Sequence, residues 1–345
     1  MDKVLIVTDA WKPQTNGVVR CLEAVSSELR SRGFKVVFLS PDKFWTLPMP
    51  TYPEIQLALA PIGAVGDFIN RHRPDHIHIA TEGPLGFQAR MHCEGEQLAF
   101  TTSYHTRFPE YLAARIPVPA EMPTEVSYAY LRWFHSGAST TLVPTRSVAS
   151  ELQQKGFDNL TVWSRGVDKA LFSPGPKTRF TNLPGPHLLY VGRVAVEKNV
   201  AAFLQLKTPG SKIVVGDGPQ LEELKQRFPD AHFLGRKTGA ELTELYRSAD
   251  VFVFPSKTDT FGNVMIEAMS CGVPVAAYPV TGPIDVLTDP ACGAMDEDLH
   301  IATAKALALS RDAASAHAAR FTWAHCTDQF QTALVPALAR HHHAA

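Results

Sequence analysis

The sequence predicts an α/β protein built from two doubly wound domains, each a parallel sheet with helices on both faces. Three observations carry this. Short apolar runs alternate with helical patterns over residues 4–163, and the alternation starts afresh over 187–277. Between the two series, residues 166–186 are rich in proline and glycine and show little periodicity, as a linker would. Finally, a chain of 345 residues is long for one hydrophobic core and suits two. Two similar halves joined by a hinge imply a cleft between them.

In the first half, residues 4–8 (VLIVT) form an uninterrupted apolar run, the pattern of a strand buried on both faces. A helical pattern follows at 18–32, and Gly33 stops it. Further strands are expected at 36–40, 77–80, 99–103 and 140–144, with helices at 84–93, 123–135 and 147–155 and a late strand at 159–163. The second half gives strands at 187–191, 212–215, 232–234, 251–254 and 274–277. Its helices are expected at 221–227, 240–248 and 262–270, and another helical stretch runs from 299 to 340.

Composition excludes several classes. Hydrophobic residues make up 45% and charged residues 19%, the values of a soluble globular chain. With 33 basic and 34 acidic residues the net charge is −1, without the basic excess expected of a nucleic-acid binder. No apolar run approaches the roughly 20 residues that span a bilayer. The apolar run in MDKVLIVTDAW is too short for a signal sequence and reads as a first strand. Five cysteines without CxxC spacing suggest reduced thiols and a cytoplasmic location. The histidines at 341–343 belong either to a native tail or to an appended one.

The chemistry concentrates at 251–277, VFVFPSKTDTFGNVMIEAMSCGVPVAA. This reads strand, polar loop, helix, strand, and the loop lies at the carboxyl end of its strand, where open α/β sheets bind ligands. The amides of Phe261, Gly262 and Asn263 would point out of a helix N-terminus, a ready phosphate site. Asp259 in the loop and Glu267 one turn into the helix could hold the hydroxyls of a sugar and a ribose. Upstream, LLYVGRVAVEKN places Arg193 and Lys198 after a strand end. Two fixed cations there would stabilise charge growing on a diphosphate leaving group, Arg by gripping two oxygens and Lys as a point charge. Gly216 and Gly218 in VGDGP permit a tight turn, which is not a GxGxxG dinucleotide fingerprint. In the first half, three loops follow strand ends. DAWKPQTNGV carries Asn16 and Gly17, TEGPLG carries Glu82, and TSYHT carries His105. Glu82 could hold an acceptor hydroxyl or cap a helix.

These motifs resemble those of retaining glycosyltransferases with the GT-B fold, two Rossmann-like domains facing across a cleft. The acidic pair with seven intervening residues, here Asp259 and Glu267, is similar to the family's acidic motif, whose first member is usually Glu. The resemblance implies that Asp259 and the adjacent backbone of Thr260, Phe261, Gly262 and Asn263 meet the donor sugar. It implies that Glu267 holds the ribose hydroxyls. Arg193 and Lys198 correspond to the donor-phosphate motif, and Gly216 and Gly218 to a turn lining the nucleotide pocket. Leu234 falls in the base-binding stretch 232–236, while Gly17 lies in the loop that closes over the phosphates. Asn16 and Glu82 are implied on the acceptor side, and His105 faces the donor sugar. The resemblance implies boundaries at 1–165, a linker at 166–186, a donor domain at 187–312 and a helix at 313–340 crossing back to the first domain.

The segments SYHTRFPEY, TEGPLG and YPVTGP place the chain close to a bacterial subgroup of mannosyltransferases and diacylglycerol glycosyltransferases. The implied reaction moves a hexose from a nucleoside diphosphate sugar, GDP-mannose or a UDP-hexose, to a lipid or glycan. No cofactor and no metal are implied. His76 and His78 form an HxH pair lacking a third ligand of convincing spacing, and the acidic run 296–298 reads as solvated charge. Residues 108–134, with Tyr111, Tyr128, Tyr130 and Trp133 among Arg107, Arg115 and Arg132, are compatible with an interfacial helix at the inner face of the plasma membrane. An ordinary amphipathic core helix would show the same pattern and is the simpler reading. A sugar-nucleotide epimerase, a phosphorylase of the same fold and a non-catalytic sugar-nucleotide-binding protein are the alternatives.

Overall fold

The structure is a computed structural model that describes residues 1–14, 16–49, 52–107 and 121–338. It divides into two compact units, Met1–Ser164 together with the chain from Trp323 onward, and Arg165–Thr322.

The first unit contains β1 (Lys3–Val7), α1 (Gly17–Ser31), β2 (Lys35–Leu39), β3 (Thr46–Met49), β4 (Tyr52–Ala58), α2 (Ala64–His72), β5 (His76–Ile79) and α3 (Pro84–Gly95). After these come β6 (Thr101–Ser103), α4 (Glu121–Ser136), β7 (Thr140–Val143), α5 (Arg146–Gln154) and β8 (Leu160–Val162). Its parallel sheet has the order β2-β1-β5-β6-β7-β8, and β3 and β4 form a separate antiparallel hairpin. Sequence patterning did not reveal that hairpin, because Pro48, Pro50 and Pro53 argue against strands there. The short helix α2, interrupted by Gly66, was missed as well.

The second unit contains β9 (His187–Val191), α6 (Val200–Leu204), β10 (Ser211–Val215), α7 (Leu221–Arg227), β11 (His232–Phe233), α8 (Gly239–Ser248) and β12 (Val251–Phe254). It continues with α9 (Asn263–Ser270), β13 (Val275–Ala277), α10 (Pro283–Val286), β14 (Gly293–Met295), α11 (Leu299–Leu307) and α12 (Arg311–Ala318). The sheet is parallel, ordered β11-β10-β9-β12-β13-β14. Alternate residues of one strand enter different cores. Leu189, Phe252 and Phe254 join one cluster, and Leu188, Val251 and Val253 the other. Burial on both faces is why these strands read as continuous apolar runs rather than alternating ones.

Two boundaries differ from the expectation. Residues 166–186 are packed into the second unit, not strung out as a linker. Val167 and Phe172 are buried in its core, and Arg247 Nε donates to the Ser173 carbonyl at 2.7 Å. Proline content had erased the periodicity without removing the apolar anchors. The helix expected to return at 313 returns later. Helix α12 stays with the second unit, where Ala314 and Ala318 are buried and Arg311 donates to the carbonyls of Ala249 and Arg247. The returning element is α13 (Trp323–Ala333), which packs in the first unit. There Arg32 donates to Asp328 at 2.6 Å and to the Ala324 carbonyl at 3.1 Å, and Phe330 lies 5.2 Å from the Trp163 ring.

Candidate active site

In the second unit the strand order reverses between β9 and β12, the two strands paired through Leu188↔Val251 and Leu189↔Phe252. Connections leaving the two strands go opposite ways, so their carboxyl ends splay and leave a crevice. The loop after β9 carries Arg193 and Lys198, and the loop after β12 carries Asp259 to Asn263.

Hydrogen bonds stitch these loops together. Ser256 Oγ and Thr258 Oγ1 each donate to the Glu197 carbonyl at 3.3 Å, and Asn199 Nδ2 donates to the Pro255 carbonyl at 3.1 Å. Asn199 adopts the left-handed conformation, φ 52°, closing the tight turn Val196–Lys198. The result is that Lys198 Nζ forms an ion pair with Asp259 Oδ1, both side chains largely buried. Arg193 is half-buried, and its carbonyl accepts from Tyr190 Oη at 2.7 Å.

Phe261 is buried beneath the loop, and Gly262, in the left-handed region at φ 86°, is the N-cap of α9. That cap supplies no side-chain hydrogen bond to the first-turn amides. Glu267, one turn along, is 6% exposed, and its Oε2 accepts from Tyr246 Oη at 3.0 Å. Tyr246 therefore fixes the direction of a carboxylate that sequence reasoning had placed without a partner. After β10, Gly216 has φ 147°, and a Cβ there would sit 1.8 Å from the Gly192 carbonyl oxygen, so only glycine fits. A Cβ on Gly218 would sit 2.4 Å from the Val194 carbonyl oxygen, and Leu234, half-buried, donates its amide to the Val214 carbonyl at 2.9 Å.

The first unit has its own reversal, between β1 and β5. The residue nearest it is one sequence reasoning did not select. Asp9 is 5% exposed, and its carboxylate accepts from the amides of Leu85 at 2.8 Å and Gly86 at 3.3 Å and from Thr81 Oγ1 at 2.9 Å. It thus caps α3 from across the sheet and fixes the loop that carries Glu82. Burial pushes its pKa up to about 6, although the three hydrogen bonds oppose the rise. An acid directly after an apolar strand was the available signal. Its partners, some 72 positions later in sequence, could not be read.

Glu82 lies 3.3 Å from the buried Nε2 of His135, an ion-pair distance without hydrogen-bond geometry. Tyr130 Oη donates to the Glu82 carbonyl at 2.6 Å. Asn16 is occupied structurally. Its Oδ1 accepts from the amides of Val18 and Val19, both at 3.0 Å, and its Nδ2 donates to Gln14. Its side chain is the N-cap of α1, and Gly17 is the first residue of that helix. His105 Nε2 lies 2.9 Å from Ser103 Oγ, with its ring edge-on to Trp163.

The HxH histidines do not converge. His76 Nδ1 bonds the Val335 carbonyl, and His78 is fully buried between Thr101 and Ser103. Among the described residues no group of three or more His, Cys, Asp or Glu could hold a metal ion. Asp298 caps α11, and Asp296 pairs with Lys305. Of residues 108–134, 108–120 lie outside the described part, including Tyr111 and Arg115.

Comparison with known proteins supplies the frame. Residues 15–171 match the model for Glycosyltransferase Family 4, and residues 185–312 the model for Glycosyl transferases group 1. The chain is 30% identical to a GDP-mannose-dependent alpha-mannosyltransferase of Mycolicibacterium smegmatis, over 83% of this chain and 82% of the relative. It is also 30% identical to the sulfoquinovosyl transferase SQD2 of Arabidopsis thaliana, covering 76% of this chain and 56% of that longer protein. Among solved structures, a sucrose-phosphate synthase from Thermosynechococcus elongatus superposes with a TM-score of 0.80 at 19% identity, covering 96% of this chain and 98% of the other.

The raised pKa of Asp9 has a stability consequence. Between about pH 4 and 6 the folded protein binds more protons than the unfolded chain, so stability contributed through Asp9 rises as pH falls through this window. Keeping the carboxylate ionised at neutral pH costs about 3 kcal/mol. Urea unfolding at pH 7 and pH 4.5 is therefore expected to show Asp9→Asn gaining on wild type at pH 7 and losing that gain at pH 4.5. An identical pH dependence in the two proteins would contradict the assignment.

Proposed function

The chain belongs to the GT-B glycosyltransferases of family 4, enzymes that use nucleotide sugars, and on that premise we propose that it is a retaining hexosyltransferase. The donor proposed is GDP-mannose, with a UDP-hexose as the alternative. The acceptor is a lipid or glycan hydroxyl, and the product carries an α-glycosidic bond. GDP-mannose is favoured because the Mycolicibacterium smegmatis relative, matched over four-fifths of its length, depends on it.

The observation that carries this reading is the stitched pair of loops at the β9/β12 reversal, which holds Lys198 and Asp259 together at the carboxyl edge of the sheet. Lys198 and Arg193 receive the diphosphate, and Glu267, steered by Tyr246, takes the ribose hydroxyls. Asp259 and the backbone of Thr260, Phe261, Gly262 and Asn263 hold the hexose. Gly216, Gly218 and Leu234 border the nucleotide, and Gly17 serves the loop over the phosphates. In the first unit, His105 and Glu82 are assigned to binding hydroxyls. Asn16, whose side chain caps α1, is assigned with Glu82 to the acceptor side.

In the reaction the acceptor oxygen bonds to the anomeric carbon on the face that the diphosphate leaves. The carbon–oxygen bond to phosphate breaks, and a departing phosphate oxygen takes the acceptor's proton. The growing negative charge is met by Lys198, held in place by the stitched loops, and by Arg193. We assign no metal to this step, since two side-chain cations serve the diphosphate.

A peripheral membrane contact is part of the proposal. Helix α4 turns Tyr128, Leu131 and Phe134 into the core, while Val126, Tyr130 and Trp133 are exposed at 70%, 37% and 39%. Phe87, 42% exposed on α3, lies 5.7 Å from the Trp133 ring and extends this apolar stripe. Aromatic rings with one wet edge suit a lipid–water boundary.

Two measurements test the proposal. Lys198→Ala is expected to cut turnover about a hundredfold or more, read as nucleoside diphosphate released from GDP-mannose or UDP-glucose. Near-normal turnover in a folded variant would remove Lys198 from its role. In flotation with anionic phospholipid vesicles, wild type is expected to rise with the lipid, and Val126→Ser/Trp133→Ser to remain largely behind. Wild type staying at the bottom of the gradient would dispose of the membrane contact.

A further inference from the structure

Three neighbouring strands of the first unit bring a buried histidine to Glu82. Thr102 on β6 and Thr141 on β7 are partners in register, and β6 also pairs with β5, whose following loop carries Glu82. His135, in the last turn of α4, is 3% exposed and is ringed by Tyr104, Phe134 and Phe157, with centroids at 6.3, 5.1 and 6.1 Å. Its Nδ1 lies 2.9 Å from Thr102 Oγ1, which lies 3.0 Å from Thr141 Oγ1. Its Nε2 is buried and has no hydrogen-bond partner among the described residues, while Glu82 Oε1 lies 3.3 Å away.

Counting hydrogens gives this line a direction. Thr102 and Thr141 carry one hydroxyl hydrogen each, and among the described residues the Thr141 hydroxyl bonds only that of Thr102. With a hydrogen on His135 Nδ1 alone, Thr102 would pass its own to Thr141, and the Thr141 hydrogen would be buried without an acceptor. Nε2 would also turn a lone pair toward a carboxylate. With the hydrogen on Nε2, Thr141 donates to Thr102 and Thr102 to Nδ1, so both hydroxyl hydrogens are used. The hydrogen left over is the one on Nε2, beside Glu82, and the bonds behind it polarise it further.

The backbone around Glu82 is fixed from two sides. Asp9 accepts from Thr81 Oγ1 and from the amides of Leu85 and Gly86, and Tyr130 Oη donates to the Glu82 carbonyl. The freedom that remains is in the Glu82 side chain, which is partly exposed and whose carboxylate pairs, among the described residues, with His135 alone. A rotation of that carboxylate completes the bond to Nε2–H. Hydrogen bonds at active sites are often misaligned in the free enzyme and tighten once the ligand is bound. We propose that His135 is a positioning residue for the transfer reaction: its Nε2–H closes on Glu82 Oε1 when an acceptor hydroxyl donates to Glu82 Oε2, so that Thr141, Thr102, His135 and Glu82 make one alcohol-binding subsite within the first unit. The acceptor part of this inference rests on the reading of Glu82 as an acceptor residue, and the direction of the line does not.

The first test is a long-range proton–nitrogen spectrum of the whole protein, labelled at histidine nitrogen, at pH 8. His135 is expected to show a hydrogen-bearing Nε2 and a pyridine-type Nδ1, and an Nε2 without hydrogen overturns the proposal. Octyl β-glucoside, added below its micelle concentration, should move the Nε2–H proton downfield in wild type and leave it in place in Glu82→Ala. The second test is steady-state transfer from GDP-mannose and from UDP-glucose to octyl β-glucoside and to dioleoylglycerol in vesicles. His135→Phe, which keeps a packed ring, should raise the acceptor KM about three- to tenfold with the donor KM unchanged. His135→Gln, whose amide can reach Glu82, should recover much of that loss. An unchanged acceptor KM in His135→Phe overturns the positioning role, and so does an equal rise in both KM values, which a merely structural residue would give. A wild type that transfers to neither alcohol, with its Nε2–H proton unmoved by octyl β-glucoside, overturns the acceptor part, while nucleotide binding by the same sample still decides the donor site separately.

Discussion

Parallel strands that part in opposite directions leave a gap that backbone bonding within the sheet cannot close, and in the second unit that gap lies between β9 and β12. The loops rising from these strands have few regular hydrogen-bond partners of their own. The structure ties them to each other instead, through two hydroxyls on the Glu197 carbonyl and the Asn199 amide on Pro255. With the loops joined, Lys198 and Asp259 meet as an ion pair. A lone, largely buried charge would be costly, and each supplies the other's counter-ion. The two loops are therefore joined around a cation whose partner is a carboxylate.

The first unit meets the same topological gap with different chemistry. Its reversal point holds Asp9, a buried acid bonded to the start of α3. Around it stand Glu82, His135 and Tyr130, and a short distance along the sheet edge His105 rests on Ser103.

Much of this was legible in the sequence, and the limits are physical. The strands at 187–191 and 251–254 have the boundaries their apolar runs indicated, because burial on both faces leaves no alternation to misread. The loop positions of Arg193, Lys198 and Asp259 were visible because they follow from strand ends. The stitching bonds were not, since the Glu197 and Pro255 acceptors are backbone carbonyls and carry no residue signature. Asn-Gly before an apolar helix is both a ligand-loop pattern and an N-cap, and the cap is what the structure shows of Asn16. Asp9 and its partners are far apart in sequence, so no local pattern could reveal them. The stretch 166–186 shows that loss of periodicity marks irregular backbone, not a lack of packing.

The central claim is that the loops after β9 and β12 form a preassembled nucleoside diphosphate site. The most direct measurement is the melting temperature of the purified protein with GDP and with UDP, each at saturating concentration. A ligand bound only by the folded form must raise it. A clear rise with one nucleotide, lost in a folded Glu267→Ala variant, is the expected result, with GDP pointing to mannose and UDP to another hexose. No rise with either nucleotide in a folded sample would contradict the account.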